Sequence, residues 1–215
     1  MIRIYHVPGT RSVRVIWLCE ELAIPYERVP VDFSPEYRAS AEWRKLNPVG
    51  KVPVMTDDNF PADGALTMFE SGAMVEYVLD RYGGGRLRPV AGTVLHAMYL
   101  QWSWFAEATF ARPLGEIVNH RREFPGDAEI PAVVEEMKSR AIVCLGALEA
   151  VLSNREFLLG AQFCAADIMM GYTLIIAHAF KVLGPDHPNV QTYFNRLSER
   201  PGFRCATADL PAGRS

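Results

Sequence analysis

The feature that most constrains the fold is a change of rhythm at residues 83–93. Gly83-Gly84-Gly85, then Pro89 and Gly92, interrupt an otherwise periodic sequence; clusters of this kind mark turns and linkers. Before the break, short apolar runs alternate with helical patterns. After it, long helical patterns follow one another with no strand signal. A chain of 215 residues has room for two small domains. The break therefore predicts an α/β domain over 1–83, a linker over 84–92 and an all-helical domain over 93–215.

In the first half, Ile2 to His6 reads as a short strand and Pro8-Gly9-Thr10-Arg11 as a turn. Val13 to Leu22 reads as a helix with Val15, Leu18, Cys19 and Leu22 on its apolar face. A strand over Tyr26 to Val31, a weaker helical segment over 35–46 and a strand over Val52 to Met55 follow. Asp57-Asp58-Asn59 reads as a turn, residues 65–68 as a fourth strand, and Ser71 to Tyr82 as a helix. A βαβ unit followed by ββα builds a sheet with a right-handed first crossover. A thioredoxin-like domain has this order, and fragments of a doubly wound dinucleotide-binding sheet share the pattern. In the second half, helices are expected over Leu95 to Val118, 131–152, Asp167 to Leu183 and Asn189 to Glu199, the last ended by Pro201-Gly202.

Composition excludes several classes. Hydrophobic residues make up 49% of the chain, enough for a substantial core. The formal charge is 22 − 25 = −3 with scattered basic residues, which gives no electrostatic case for nucleic acid or an anionic membrane. The longest uncharged apolar stretch, Ile168 to Phe180, falls short of the ~20 residues that span a bilayer. Arg3, Arg11 and Arg14 interrupt any signal-peptide core, so a cytoplasmic location is expected. Cys19, Cys144, Cys164 and Cys205 show neither C-x-x-C pairing nor metal-ligand spacing, so reduced core thiols are expected and no metal is implied.

Three segments could carry chemistry. In Pro8-Gly9-Thr10-Arg11-Ser12, a turn opens the first helix, where unpaired N–H groups favour a thiolate. A hydroxyl from Thr10 or Ser12 would add to that; the alternative is that one of them simply caps the helix. In Asn47-Pro48-Val49-Gly50-Lys51-Val52-Pro53-Val54, a cis bond before Pro53 would turn the Val52 backbone outward to pair with a peptide-like ligand. An ordinary trans proline entering a strand is the alternative, and residue identity does not decide between them. In Phe69-Glu70-Ser71-Gly72-Ala73, a helix start with a serine suits a carboxylate, and the neighbouring glutamate suits an ammonium. An α-amino acid end carries both charges. A capped helix beside a solvated glutamate is the competing reading.

Together these segments resemble the glutathione S-transferase family. Arg14 to Leu22 (RVIWLCEEL) with Ile24-Pro25-Tyr26-Glu27 looks like its first helix and following strand. Asn47 to Pro53 looks like its cis-proline loop, and Glu70-Ser71-Gly72-Ala73 with Tyr77 and Arg81-Tyr82 like its glutamyl-binding helix. Phe157-Leu158-Leu159-Gly160 with Ala165-Ala166-Asp167-Ile168 resembles its helical-domain capping motif, and Arg200-Pro201-Gly202-Phe203 its C-terminal helix boundary.

The resemblance implies a glutathione-binding, thioredoxin-like domain followed by an all-helical domain with an apolar second-substrate pocket. It implies that Val52 pairs with the cysteinyl backbone of glutathione beside a cis Pro53. It also implies that Glu70 and Ser71 hold the γ-glutamyl end and that Lys51 reaches the glycyl carboxylate. Tyr99, Trp102, Phe105 and Phe110 are candidate pocket residues, with core packing as their alternative. The implied partners are glutathione and a small electrophile, in a two-fold homodimer. Two departures stand out. Gly9 falls where many subclasses carry a catalytic Ser, Tyr or Cys, which leaves Thr10 first and Ser12 second as thiolate donors, with Arg11 or backbone N–H groups as further candidates. Cys164 replaces the usual Ser or Thr cap, so Asp167 is expected to hold that turn alone. The implied activity is conjugation of glutathione to apolar electrophiles. A glutathione-dependent disulfide reductase or peroxidase, a non-catalytic glutathione scaffold, and a glutathione-using isomerase or dehalogenase are the alternatives.

Overall fold

The computed structural model describes residues 1–59 and 64–210. Contacts divide the chain into two compact units. One is Met1–Leu87 with the segment that begins at Arg200; the other is Arg88–Glu199.

The first unit is built on four strands, β1 (Ile2–His6), β2 (Tyr26–Pro30), β3 (Val54–Asp57) and β4 (Leu66–Phe69), in the order β2-β1-β3-β4. β1 and β2 run parallel, joined through helix α1 (Ser12–Leu22), and the β1–β3 and β3–β4 pairs are antiparallel. This mixed sheet is thioredoxin-like. Alternation along β1 turns Ile2, Ile4 and His6 inward, so a histidine takes the third core position of an otherwise aliphatic face. α1 is buried from Ser12 through Cys19 because the sheet, α4 (Ser71–Tyr82) and α10 (Pro201–Thr207) all pack against it. Each of its large aliphatic or aromatic side chains contributes about 1.5–3 kcal/mol by that burial. Residues 35–46 form two short helices, α2 (Pro35–Ala39) and α3 (Ala41–Leu46), split at Ser40, whose hydroxyl caps the second by accepting from the Trp43 N–H.

Pro201-Gly202, expected to end a helix, also begins one. Proline is tolerated in the first turn because its missing N–H has no intrahelical partner there. α10 lies in the stretch 93–215 yet packs within the first unit. Arg200 grips Glu21 through two bonds of 2.8 and 2.6 Å, and Phe203 meets Trp17 edge-on at 5.0 Å. A β-carbon on Gly202 would stand 2.9 Å from the Trp17 ring, which explains glycine at this crossing. The final residues of that stretch, 211–215, lie outside the described residues.

The second unit is helical. α5 (Val94–Trp104) runs through a π-helical segment (Phe105–Phe110) into α6 (Ala111–Glu123), followed by α7 (Pro131–Leu152), α8 (Ala165–Ala179) and α9 (Pro188–Ser198). α8 forms its centre and is buried from Ala165 through Ile175. The capping expectation at its start is corrected. Asp167 accepts from the Cys164 N–H at 2.8 Å, but the Cys164 side chain completes a reciprocal box with the Asp167 N–H. Asp167 also accepts from the Leu158 N–H at 2.9 Å and the Tyr193 hydroxyl at 2.8 Å. Burial raises its pKa, and these bonds oppose the rise.

Candidate functional site

The loop from β1 to α1 carries the first group. Arg11 is the N-cap residue, and no side chain caps the helix, so neither Thr10 nor Ser12 has the purely capping role. Gly9 is buried with φ +75°, a conformation a side chain would strain. The Thr10 hydroxyl donates to the Val7 carbonyl at 2.8 Å and lies 2.8 Å from the Ser12 hydroxyl. Thr10 is half-buried, whereas Ser12 is fully enclosed and meets His6 Nδ1 at 2.7 Å. The N–H groups of Thr10, Val13 and Arg14 are engaged by the carbonyls of Val7, Thr10 and Arg11. Thr10 is therefore the hydroxyl of this pair that reaches the surface. Arg11 is half-buried beside it.

The loop into β3 carries the second group. Val52–Pro53 is a cis peptide bond. Asn47, 3% exposed, organises the loop: its amide donates to the Lys51 carbonyl at 2.8 Å and accepts from the Val49 N–H at 3.0 Å. Gly50 turns the loop at φ +67°, where a β-carbon would lie 2.6 Å from the Arg38 carbonyl. Val52 is half-buried and sits just before the ladder, which starts at Val54; Lys51 is exposed.

The third group is the start of α4. Glu70 is its N-cap residue, exposed, with φ 77° and ψ 102° and no capping bond from its side chain. A non-glycine residue held there costs about 1–3 kcal/mol, and such outliers concentrate at ligand sites. Ser71 is 3% exposed, and its hydroxyl accepts from Arg14 Nη1 at 3.2 Å. Arg14 is completely buried. A guanidinium beneath a helix N-terminus adds full positive charge to the dipole already favouring an anion.

Three residues of this region were not singled out from the sequence. Arg14 gives a signal in hindsight, as a cation inside the buried run Val13–Cys19. His6 gives a weaker one, as a polar residue at an inward strand position. Asp209 gives none: its carboxylate reaches His6 Nε2 at 2.8 Å across a sequence separation of 203.

The aromatic candidates are placed differently from the expectation of a pocket wall. Tyr99 and Phe110 are 0% exposed and Trp102 is 5% exposed, so they are core of the helical unit; Phe105 alone of the four is half-buried. Long, evenly aromatic helices give no phase by which to separate pocket from core. A cavity of about 940 Å³ in this unit is lined by other residues, among them Pro113, His120, Phe124, Met137 and Cys144.

The chain's own thiols are not activated. Burial pushes Cys19 up to about 12 and raises Cys144, Cys164 and Cys205 above their ordinary values. Among the described residues, no group of three or more His, Cys, Asp or Glu side chains is placed to hold a metal ion, and no helix is long and apolar enough to cross a membrane.

The model of the glutathione S-transferase N-terminal domain matches residues 1–80, and that of the C-terminal domain matches residues 117–201. The chain belongs to the glutathione S-transferase family. Within this family it is similar to glutathione S-transferase 3 of Schizosaccharomyces pombe, 28% identical over 96% of this chain and 86% of the relative. It is also similar to the disulfide-bond oxidoreductase YfcG of Escherichia coli, 26% identical over 94% and 92%. The glutathione transferase URE2P8 of Phanerochaete chrysosporium, crystallised with oxidized glutathione, superposes with a TM-score of 0.83 at 28% identity, over 97% of this chain and 94% of that one. These glutathione S-transferase relatives span both units, so the family likeness is not confined to the sheet.

Proposed function

We propose that this protein binds glutathione along the sheet margin and stabilises its thiolate at the Thr10 hydroxyl for attack on a small, mostly apolar electrophile. The observation that carries this reading is the arrangement around α1 and α4: a surface-reaching hydroxyl at one helix start, and Ser71 on a buried arginine at the other. A tripeptide with a thiol and an α-amino acid end needs both. Val52, outside the ladder and beside Pro53, offers the backbone for the cysteinyl unit; Glu70 and Ser71 suit the γ-glutamyl end; Lys51 suits the glycyl carboxylate. Catalysis then consists of proximity and charge stabilisation at sulfur.

A second reading, glutathione-dependent disulfide reduction, draws on the likeness to a disulfide-bond oxidoreductase and on the Thr10 hydroxyl already having Val7 as a partner. Two measurements test the proposal. The thiolate absorbance of bound glutathione is followed against pH for the wild type and Thr10→Ala, and turnover is compared on an aryl halide and a mixed disulfide. Conjugation with a raised thiol pKa in Thr10→Ala supports the first reading. Disulfide turnover alone, with the titration unmoved, supports the second. Absence of glutathione uptake at millimolar concentration overturns both.

A further inference from the structure

The hydroxyls at the α1 loop belong to a longer chain. Asp209 Oδ2 lies 2.8 Å from His6 Nε2, His6 Nδ1 lies 2.7 Å from Ser12 Oγ, Ser12 Oγ lies 2.8 Å from Thr10 Oγ1, and Thr10 Oγ1 lies 2.8 Å from the Val7 carbonyl. The middle is sealed, with His6 5% and Ser12 0% exposed. It surfaces at the two ends, Asp209 and Thr10.

Counting hydrogens gives this chain a direction. Its termini, a carboxylate and a carbonyl, only accept. Four contacts need four hydrogens, and the two hydroxyls supply one each. When both ring nitrogens carry a hydrogen, the imidazole supplies the other two and all four contacts are hydrogen bonds. In that state Nδ1–H donates to Ser12, Ser12 donates to Thr10, and Thr10 directs its hydrogen away from the buried chain. With one ring proton removed, Nδ1 accepts from Ser12, Ser12 accepts from Thr10, and the Thr10 hydrogen turns inward. The charged groups around His6 are Asp209 and, 3.9 Å from that carboxylate, Arg28 on β2. Across the ladder His6 faces Pro30, and α1 presents Ser12.

We propose that Asp209 and His6 are positioning residues that set the polarity of the Ser12–Thr10 hydroxyl pair, so that Thr10 turns its hydrogen from the Val7 carbonyl to the sulfur of bound glutathione. This rests on the reading that the glutathione thiolate lies at Thr10. No bond other than hydrogen bonds changes: the Thr10 O–H rotates from one acceptor to another, and a polarised chain strengthens the bond it makes.

The test follows the thiolate absorbance of bound glutathione against pH, with kcat and KM, in the wild type, Asp209→Asn, Asp209→Glu, Ser12→Ala and the Ser12→Ala/Asp209→Asn double variant. Asn keeps the shape of Asp209 and sits at the exposed end, where folding is least at risk. The expected result is a rise of about one unit in the bound thiol's pKa for Asp209→Asn, with kcat near neutral pH down ~10-fold and the glutathione KM within about 2-fold of wild type. Asp209→Glu should recover part of the loss. Ser12→Ala should show the same shift, and the double variant no more than Ser12→Ala alone, because both cut one chain. An unmoved thiol titration in Asp209→Asn, even with a lower Tm, would reduce the contact to a staple for the C-terminal segment and overturn the proposal; so would additive shifts in the double variant. A wild type that binds glutathione without ionising it removes the underlying reading of Thr10, and this proposal with it.

Discussion

Replacing Ser71 by alanine separates the structural role of the α4 start from its ligand role. The Ser71 hydroxyl accepts from Arg14 Nη1 at 3.2 Å, and both residues are buried, at 3% and 0% exposure. Alanine removes an acceptor from a guanidinium that water does not reach. A hydrogen bond to a charged group is worth about 1.5–3 kcal/mol. For a chain of this size, each kcal/mol moves Tm by about 2–4 °C, so a loss of about 2 kcal/mol corresponds to a fall of about 4–8 °C. Separately, if Ser71 holds the glutamyl carboxylate as proposed, the variant should bind glutathione more weakly by about 1–3 kcal/mol, or roughly 5- to 150-fold in Kd. Urea denaturation reads the first effect and calorimetric titration at a temperature where both proteins are folded reads the second. Stability within about 0.5 kcal/mol of wild type would refute the Arg14–Ser71 bond as a structural element. Unchanged affinity would remove the glutamyl site from the start of α4.

Three further outcomes are expected. Glu70→Ala should weaken glutathione by about 1 kcal/mol, near the low end for a charged contact because Glu70 is exposed, measured by the same calorimetry. Gly202→Val should destabilise by about 1–3 kcal/mol, since its side chain would collide with the buried Trp17 ring and with Glu21, itself pinned by Arg200; thermal unfolding checks it. Burial alone would raise the pKa of Asp57, but hydrogen bonds from the Tyr77 and Tyr82 hydroxyls and the Asn59 N–H outweigh it, helped by the N-terminal ammonium, and the net shift is downward. The unfolded chain then binds the proton more readily than the folded one, so Asp57 contributes stability above about pH 4 that disappears as pH falls through its lowered pKa. The gap in urea midpoint between wild type and Asp57→Asn should be full at pH 7 and close towards pH 3.

The local elements were legible because local rules write them. Ser71 to Tyr82 and residues 131–152 show helical spacing bounded by residues that start or stop helices, and the structure places α4 at Ser71–Tyr82 and α7 at Pro131–Leu152. Asp57 reads as part of a turn and instead closes β3, paired with Ile2 on β1 and Leu66 on β4, while Tyr77 and Tyr82 of α4, 20 or more residues away, donate to its carboxylate. The same limit hides the burial of Tyr99, Trp102 and Phe110: an aromatic residue on a helix looks alike in sequence whether it faces a core or a cleft.

Sequence alone determined the change of character along the chain, the order of the four strands, the family resemblance and the candidate segments at Thr10, Val52-Pro53 and Glu70-Ser71, whose signals lie in short stretches of residues, but not the split of 35–46 into two helices or the helix that begins at Pro201. Tertiary structure decided which hydroxyl reaches the surface, that Arg14 lies under α4, and that α10 belongs with the sheet. It also decided that Asp209 closes a hydrogen-bonded chain onto His6. Those outcomes depend on which groups water can no longer reach once distant segments pack, and a buried polar group must find its partner wherever in the sequence that partner lies.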